Sequence, residues 1–287
     1  MDCGKRVAGL CAPKENIMAE NRKRIINIFE NDSPVSKETR RIFKQKLELA
    51  GYAVCDGFDP EAELIVCIGG DGQLLRTLHQ LEFPSNPFVG VNTGHLGFFQ
   101  ELHPDQLDEF IFLYNQGRCT VQKLKTVKAT IEIGSEVFYQ KGLNEIVITG
   151  DSSQLTHLNM SIDDSFIEKF SGDGLLICSP AGSTAYNYAL RGSIVDPRLD
   201  LLQVTPMAPQ NTAAYRSFTS SILLPSNRSV TIHPENKEGK GINIVADSTH
   251  RHYDWIDKIT VELSDETVQL LRFEHYDFWR KVKSKLL

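Results

Sequence analysis

The sequence has few cysteines and no C-x-x-C pair: six, at positions 3, 11, 55, 67, 119 and 178, lie scattered along the chain. Cys67 and Cys178 sit inside apolar runs, where a free cysteine behaves as a small hydrophobe. No neighbouring histidine or local signature marks any of them as a nucleophile. This usage points to structural thiols in a reducing cytoplasm. No apolar run approaches the roughly 18 residues of a membrane span, and the N-terminus lacks the apolar core of a signal peptide. Neither sign of charge forms a block of five or six, and a net charge of −6 gives no global reason to expect nucleic acid. What is present is an ordinary globular mix, 41% hydrophobic and 24% charged over 287 residues, enough for a buried core and for two domains.

Residues 1–22 show no sustained period. They read as a disordered extension, with Met18 a candidate functional start and a short strand at 7–10 the alternative. From Arg24 the pattern is α/β. Residues 24–29 read as a strand, Ser33-Pro34 open a helix through Leu49 that Gly51 stops, and 63–68 form a second, apolar strand. A helix follows Gly72 with Leu74, Leu75 and Leu78 at helical spacing and His79 near its end. A third strand covers 87–91, and a helix from Pro104 to Gly117 carries Leu107, Phe110, Ile111 and Tyr114 on one face. Strands alternating with helices argue for a parallel sheet covered on both faces. After residue 118 the rhythm changes to short alternating segments bounded by Gly, Pro, Asn or Asp, as antiparallel sheets require. Among them "KITVELS" and "VQLLRF" read as separate strands, "GSTAYNYALRG" interrupts as a helix, and "HRH" at 250–252 reads as a solvated turn rather than a metal site. The closing "HYDFWRKVKSKLL" reads as an amphipathic helix.

The stretch "ELIVCIGGDGQLLRTLHQ" (63–80) carries the chemistry. A parallel strand that ends in glycines and feeds a helix holds phosphate: the backbone comes close, and the helix's first N–H groups favour an anion. The turn is neither G-x-x-x-x-G-K-[ST], since it has no Lys-Ser/Thr, nor G-x-G-x-x-G, since Leu75 fills the last glycine position. Asp71 is the informative residue. A carboxylate among phosphate-binding amides either holds a divalent ion against the phosphates or accepts a proton from an attacking hydroxyl, both tasks of phosphoryl transfer; the competing role is a helix cap. Alone, the turn says nucleotide-dependent kinase. A lipid or sugar kinase and a catalytically silent NAD(P)-binding sensor remain as alternatives.

Five further stretches choose together: "GVNTGHLGFFQEL" (90–102), "LNEIVIT" (143–149), "GDGLLICSPAGSTAYNYALRGSIVDP" (172–197), "VTPMAP" (204–209) and "VADS" (245–248). In this order and spacing they resemble the NAD kinase family in its compact bacterial form, over nearly the whole chain from about residue 24. The resemblance implies transfer of the γ-phosphoryl of ATP to the 2′-hydroxyl of the adenosine ribose of NAD. It implies Mg²⁺ or Mn²⁺ accompanying ATP and a homodimer or homotetramer, and leaves inorganic polyphosphate open as an alternative donor. It also implies a Rossmann-like α/β domain over 23–120, a β-sandwich NAD-binding domain over 121–273, and a C-terminal helix, 274–287, returning to the first domain. Residue by residue, Asp71 matches the catalytic aspartate, and Gly69, Gly70 and Gly72 the turn that meets the nucleotide. His95 and Phe98 match residues lining the adenosine pocket, and Asn144 and Glu145 the pair that grips ribose hydroxyls and adenine. Asp173, Thr184, Ala185, Tyr186, Asn187 and Ala189 match the nicotinamide side, with Ala208 and Asp247 as further contacts. Two positions depart from the family pattern: Ser171 where arginine is frequent, and Gln73 where threonine is usual.

Overall fold

A computed structural model of the chain describes residues 24–94, 97–151, 155–163, 165–235 and 241–287. The extension expected over residues 1–22, and His95, lie outside these residues. The first half alternates as its hydrophobic periods require: β1 (Ile25–Glu30), α1 (Pro34–Leu49), β2 (Ala53–Cys55), β3 (Leu64–Gly69), α2 (Asp71–Gln80), β4 (Phe88–Asn92) and, after a 3-10 turn, α3 (Leu107–Asn115). Helix α1 begins where Ser33 accepts from the Ser36 N–H and Pro34 fills the first turn, and it ends before Gly51, whose φ of +90° a side chain would resist. Every residue of β3 is buried, as a central strand of a parallel sheet should be.

The second half is strand upon strand. It runs β5 (Cys119–Ile133), β6 (Glu136–Gly142), β7 (Glu145–Gly150), β8 (Thr156–Ile162), β9 (Ser165–Gly172), β10 (Gly174–Cys178), the short helix α4 (Tyr186–Ala189), β11 (Leu201–Met207), β12 (Ile222–Pro225), β13 (Ser229–Pro234), β14 (Ile242–Ala246), β15 (Thr249–Tyr253) and β16 (Lys258–Phe273), and it closes with α5 (Phe278–Leu286). Six of these strands form an antiparallel sheet in the order β12-β11-β10-β7-β14-β15. The others extend the parallel sheet of the first half into a mixed one, β2-β1-β3-β4-β16-β13-β8-β9, with β5 and β6 branching from β16. The two sheets face each other over one apolar cluster that includes Ile131, Ile148, Phe170, Ile177, Val204, Ile232, Ile244 and Val261. The architecture is an α/β layer joined to a β-sandwich.

Two readings need correction. The segments taken as separate strands at 258–264 and 268–273 are one strand, β16, which pairs with β5 along its length and only shifts register between Leu263 and Thr267. A bulge adds residues without ending a strand, so the polar break "SDE" imitated a turn. The "HRH" segment is β15, antiparallel to β14 with Arg251 opposite Ile244; it is an edge strand, where exposed polar side chains are expected.

Candidate active site

Strand β3 delivers the glycine turn to the carboxyl edge of the parallel sheet, where ligands of such sheets gather. A Cβ on Gly69, whose φ is +153°, would lie 2.7 Å from that of Gln73, so glycine is required there. At Gly70 and Gly72 a Cβ would meet nothing within 4 Å: the space over the turn is open. The side chain of Asp71 does not cap α2; the N-cap is Gly70 and no side chain accepts there. Its carboxylate turns instead to the loop after β4, accepting from the Phe98 N–H at 2.8 Å and the Phe99 N–H at 3.0 Å. That approach explains Gly97, where a Cβ would sit 2.1 Å from Asp71 Oδ1. Lys285 Nζ, from the last turn of α5, is 3.4 Å from Asp71 Oδ2.

The peptide groups that hold Asp71 are themselves held from behind. Buried Arg272, near the end of β16, donates to the carbonyls of Phe99 at 2.9 Å and Phe98 at 3.2 Å, and pairs with Glu101 at 3.1 Å. Lys281 of α5 donates to the Gln100 carbonyl. Burial, with Arg272 adding its charge, pulls the Lys281 ammonium down to about 8. Phe98 packs against Phe278 with centroids 6.0 Å apart and lies under Lys285 Nζ at 4.6 Å.

A second turn, Leu143-Asn144-Glu145, opens β7. It is organised by Asp247, whose side chain is fully buried between β14 and β15. Asp247 accepts from the N–H groups of Asn144 at 2.7 Å, Leu143 at 2.9 Å and Glu145 at 3.3 Å. His79 Nε2, at the far end of α2, lies 2.9 Å from the same carboxylate, and its Nδ1 is 3.1 Å from the Thr249 hydroxyl. With a carboxylate at Nε2, that nitrogen carries the proton. Helix α2 therefore starts at one carboxylate and ends on the other. The backbone so fixed leaves Asn144 Oδ1 and Glu145 Oε2 buried with no protein partner. Burial first, and the Asp247 charge second, push the Glu145 carboxyl up to about 8.

The segment 179–189 closes over this turn. Ser179 donates its N–H to the Asn144 carbonyl at 2.9 Å, and a Cβ on Gly182 would lie 2.1 Å from that same oxygen. Thr184 lines a cleft with Phe98, Phe99, Arg272 and Phe278, while Tyr186 and Ala189 are exposed and Ala185 half-buried beside them. Asn187 is fully buried: it donates to the Ser183 and Ser193 carbonyls and accepts from Thr205 at 2.6 Å, so its side chain is spent on the fold. Asp173 and Ala208 are exposed neighbours, with the Asp173 N–H on the Met207 carbonyl at 2.9 Å. They stand at the other end of β10 from Thr184, roughly 17 Å away along the strand. The departures face inward. Gln73 reaches Thr77 and Arg76 on its own helix, and Ser171 is buried against Ser217 and Gln210.

Sequence reasoning passed over Arg272, Lys281 and Lys285. The amphipathic pattern of the last helix was visible, but basic residues on a terminal helix ordinarily face solvent, and nothing local tells which of them meets a carbonyl or a carboxylate.

The profile described as ATP-NAD kinase N-terminal domain matches residues 14–119, and that described as ATP-NAD kinase C-terminal domain matches residues 143–273. The chain is 40% identical over 271 residues to the NAD kinase of Finegoldia magna, covering 93% of this chain and 99% of that protein. It is 34% identical over 234 residues to the NAD kinase of Geobacillus stearothermophilus, covering 80% and 85%. Among solved structures, yeast NADH kinase complexed with NADH superposes with a TM-score of 0.81 at 18% identity, covering 93% of this chain and 88% of that one. An NAD kinase from Archaeoglobus fulgidus in complex with ATP superposes with a TM-score of 0.72 at 21% identity, covering 92% and 98%. At these identities the superpositions speak for the fold.

Proposed function

The chain belongs to the NAD kinase family, phosphotransferases with an alcohol group as acceptor, and from that premise we propose that Asp71 activates the acceptor hydroxyl at the glycine turn. The reaction moves the γ-phosphoryl of ATP onto the 2′-hydroxyl of the adenosine ribose of NAD, giving NADP and ADP. One observation carries the role of Asp71. Its carboxylate is not consumed as a cap; two N–H groups aim it over an open turn, with its side chain 22% exposed. A ribose hydroxyl is a poor acid, so a fixed carboxylate that orients it or takes its proton is what the step needs. Asn144 Oδ1, a buried acceptor, and the buried carboxyl oxygen Glu145 Oε2, both without protein partners, suit the hydroxyls of the acceptor ribose. An unmet acceptor of this kind rejects ligands lacking the hydroxyl.

Among the described residues no group of three or more His, Cys, Asp or Glu forms a metal cage. An ion that accompanies ATP is then held chiefly by the donor's own phosphates. When bound, Mg²⁺ or Mn²⁺ neutralises phosphate charge. Because Asp173 and Ala208 stand a strand's length from Thr184, we assign them to the site of a second copy in a homodimer or homotetramer. Four described cysteines, at 55, 67, 119 and 178, are free thiols, which supports a cytoplasmic setting; among the described residues no helix is long and apolar enough to cross a membrane.

The test is NADP formation from NAD, ATP and Mg²⁺ by the purified chain and by Asp71→Asn. The variant loses one of two amide contacts, about 1 kcal/mol of stability, and is expected to lose turnover by roughly 10²–10⁴-fold while still binding NAD. A fully active Asp71→Asn removes Asp71 from the mechanism.

A further inference from the structure

The glycine turn carries no lysine, although phosphoryl transfer is mostly positioning and neutralisation of phosphate charge. A lysine comes from the far end of the chain. Lys285 Nζ stands 3.4 Å from Asp71 Oδ2 and 4.6 Å over the face of Phe98, with its side chain 32% exposed. Its helix is pinned to the loop that aims Asp71. Asp277 caps α5 by accepting from the N–H groups of Trp279 and Arg280, Lys281 holds the Gln100 carbonyl, Phe278 packs on Phe98, and Trp279 Nε1 donates to Asp196 at 3.0 Å. The Lys285 side chain lies past these anchors and is exposed.

We propose that Lys285 is a catalytic residue whose ammonium passes from Asp71 to the terminal phosphate of ATP when the donor binds. This rests on ATP-dependent transfer at the glycine turn. Asp71 accepts from two N–H groups and from the Lys285 ammonium. A phosphate bearing more charge competes for the same ammonium. Once Lys285 has crossed, the carboxylate oxygen it leaves is open to the arriving hydroxyl, and the phosphoryl oxygens gain a charge-assisted donor. In the step itself the ribose O–H bond breaks and its proton goes to Asp71. The new O–P bond forms at the γ-phosphorus, and the bond from that phosphorus to the β,γ-bridging oxygen breaks, leaving its electron pair on ADP. Lys285 donates hydrogen bonds throughout and loses no proton.

The experiment compares the full chain with Lys285→Met and Lys285→Arg for melting temperature, kcat and the KM of each substrate. The expected result for Lys285→Met is an unchanged melting temperature and a kcat lower by roughly 10²-fold. The KM for NAD stays within a few-fold, while the KM for ATP rises. Lys285→Arg restores part of kcat. Full activity in Lys285→Met, or a loss confined to the KM for NAD, overturns the proposal while NADP formation by the unmutated chain leaves the underlying reaction intact. If the unmutated chain makes no NADP from ATP, both fall together.

Discussion

Two carboxylates do the same thing in this protein and come to opposite ends. Asp71 and Asp247 each accept main-chain N–H groups from a loop that follows a strand, and helix α2 links them, carrying Asp71 in its first turn and His79, the partner of Asp247, in its last. Asp247 accepts three N–H groups and faces a histidine, and no part of its side chain reaches solvent. Asp71 accepts two, and its remaining capacity faces an open turn and one lysine. The difference is occupancy. A carboxylate whose lone-pair sites are all filled by the fold is a structural post; one left with a site to spare is a reagent.

The largest departure expected on the structural side comes from Asp247→Ala. It strands three N–H groups beneath the sheet and is expected to cost about 3–5 kcal/mol, read by chemical denaturation. Asp247→Asn keeps the shape and tolerates the positive φ of 51° at that position, so about 1–3 kcal/mol is expected. An Asp247→Asn chain of native stability that had lost only turnover would erase the contrast with Asp71.

Glu145→Gln sharpens the comparison by removing the buried carboxyl that neighbours Asp247. Burial holds Glu145 protonated in the folded chain up to about 8, while unfolded it ionises at an ordinary carboxyl value. The folded chain then binds the extra proton between those values, so stability is greatest at low pH and declines as the pH climbs to about 8, by up to about 1.4 kcal/mol per pH unit. The glutamine variant is expected to lose this decline, melting above the unmutated chain at pH 8.5 yet binding NAD at least tenfold more weakly. Melting curves of the two proteins that run parallel from pH 5 to 9 would refute the assignment.

The smallest effect is expected from Gln73→Thr. Because Gln73 turns along its own helix toward Thr77 and Arg76, restoring the family's usual threonine is expected to change stability by about 0.5 kcal/mol and turnover by less than threefold. A large gain in turnover would mean that the open turn lacks a hydroxyl it needs.

Sequence and structure part company for a physical reason that these residues make plain. The elements of the first half were legible because each is local: Ser33 and Pro34 start α1, Gly51 ends it, and the buried run of β3 stops at glycines. The glycine turn and Asp71 stood out for the same reason. Buried thiols read correctly too, since burial pushes Cys67 up to about 12 and Cys178 higher still. Strand β15 was missed because a polar edge strand looks like a turn. What could not be read was which carboxylate would be spent, because that depends on contacts between residues remote in sequence: His79 with Asp247, 168 positions apart, and Arg272 with the carbonyl of Phe98, 174 apart.

The contact between Lys285 and Asp71 spans 214 residues, and this fixes an order of events during synthesis. The glycine turn leaves the ribosome early, and the first half has the local signals to begin folding there. The edge of its sheet at β4 nevertheless waits for β16, and the loop that aims Asp71 waits for Arg272 and Lys281. A nascent chain halted before β16 therefore displays a nucleotide turn whose acid is not yet aimed. Competence arrives abruptly, with the last two elements, and the cell meets this active site only when translation has carried the chain through α5.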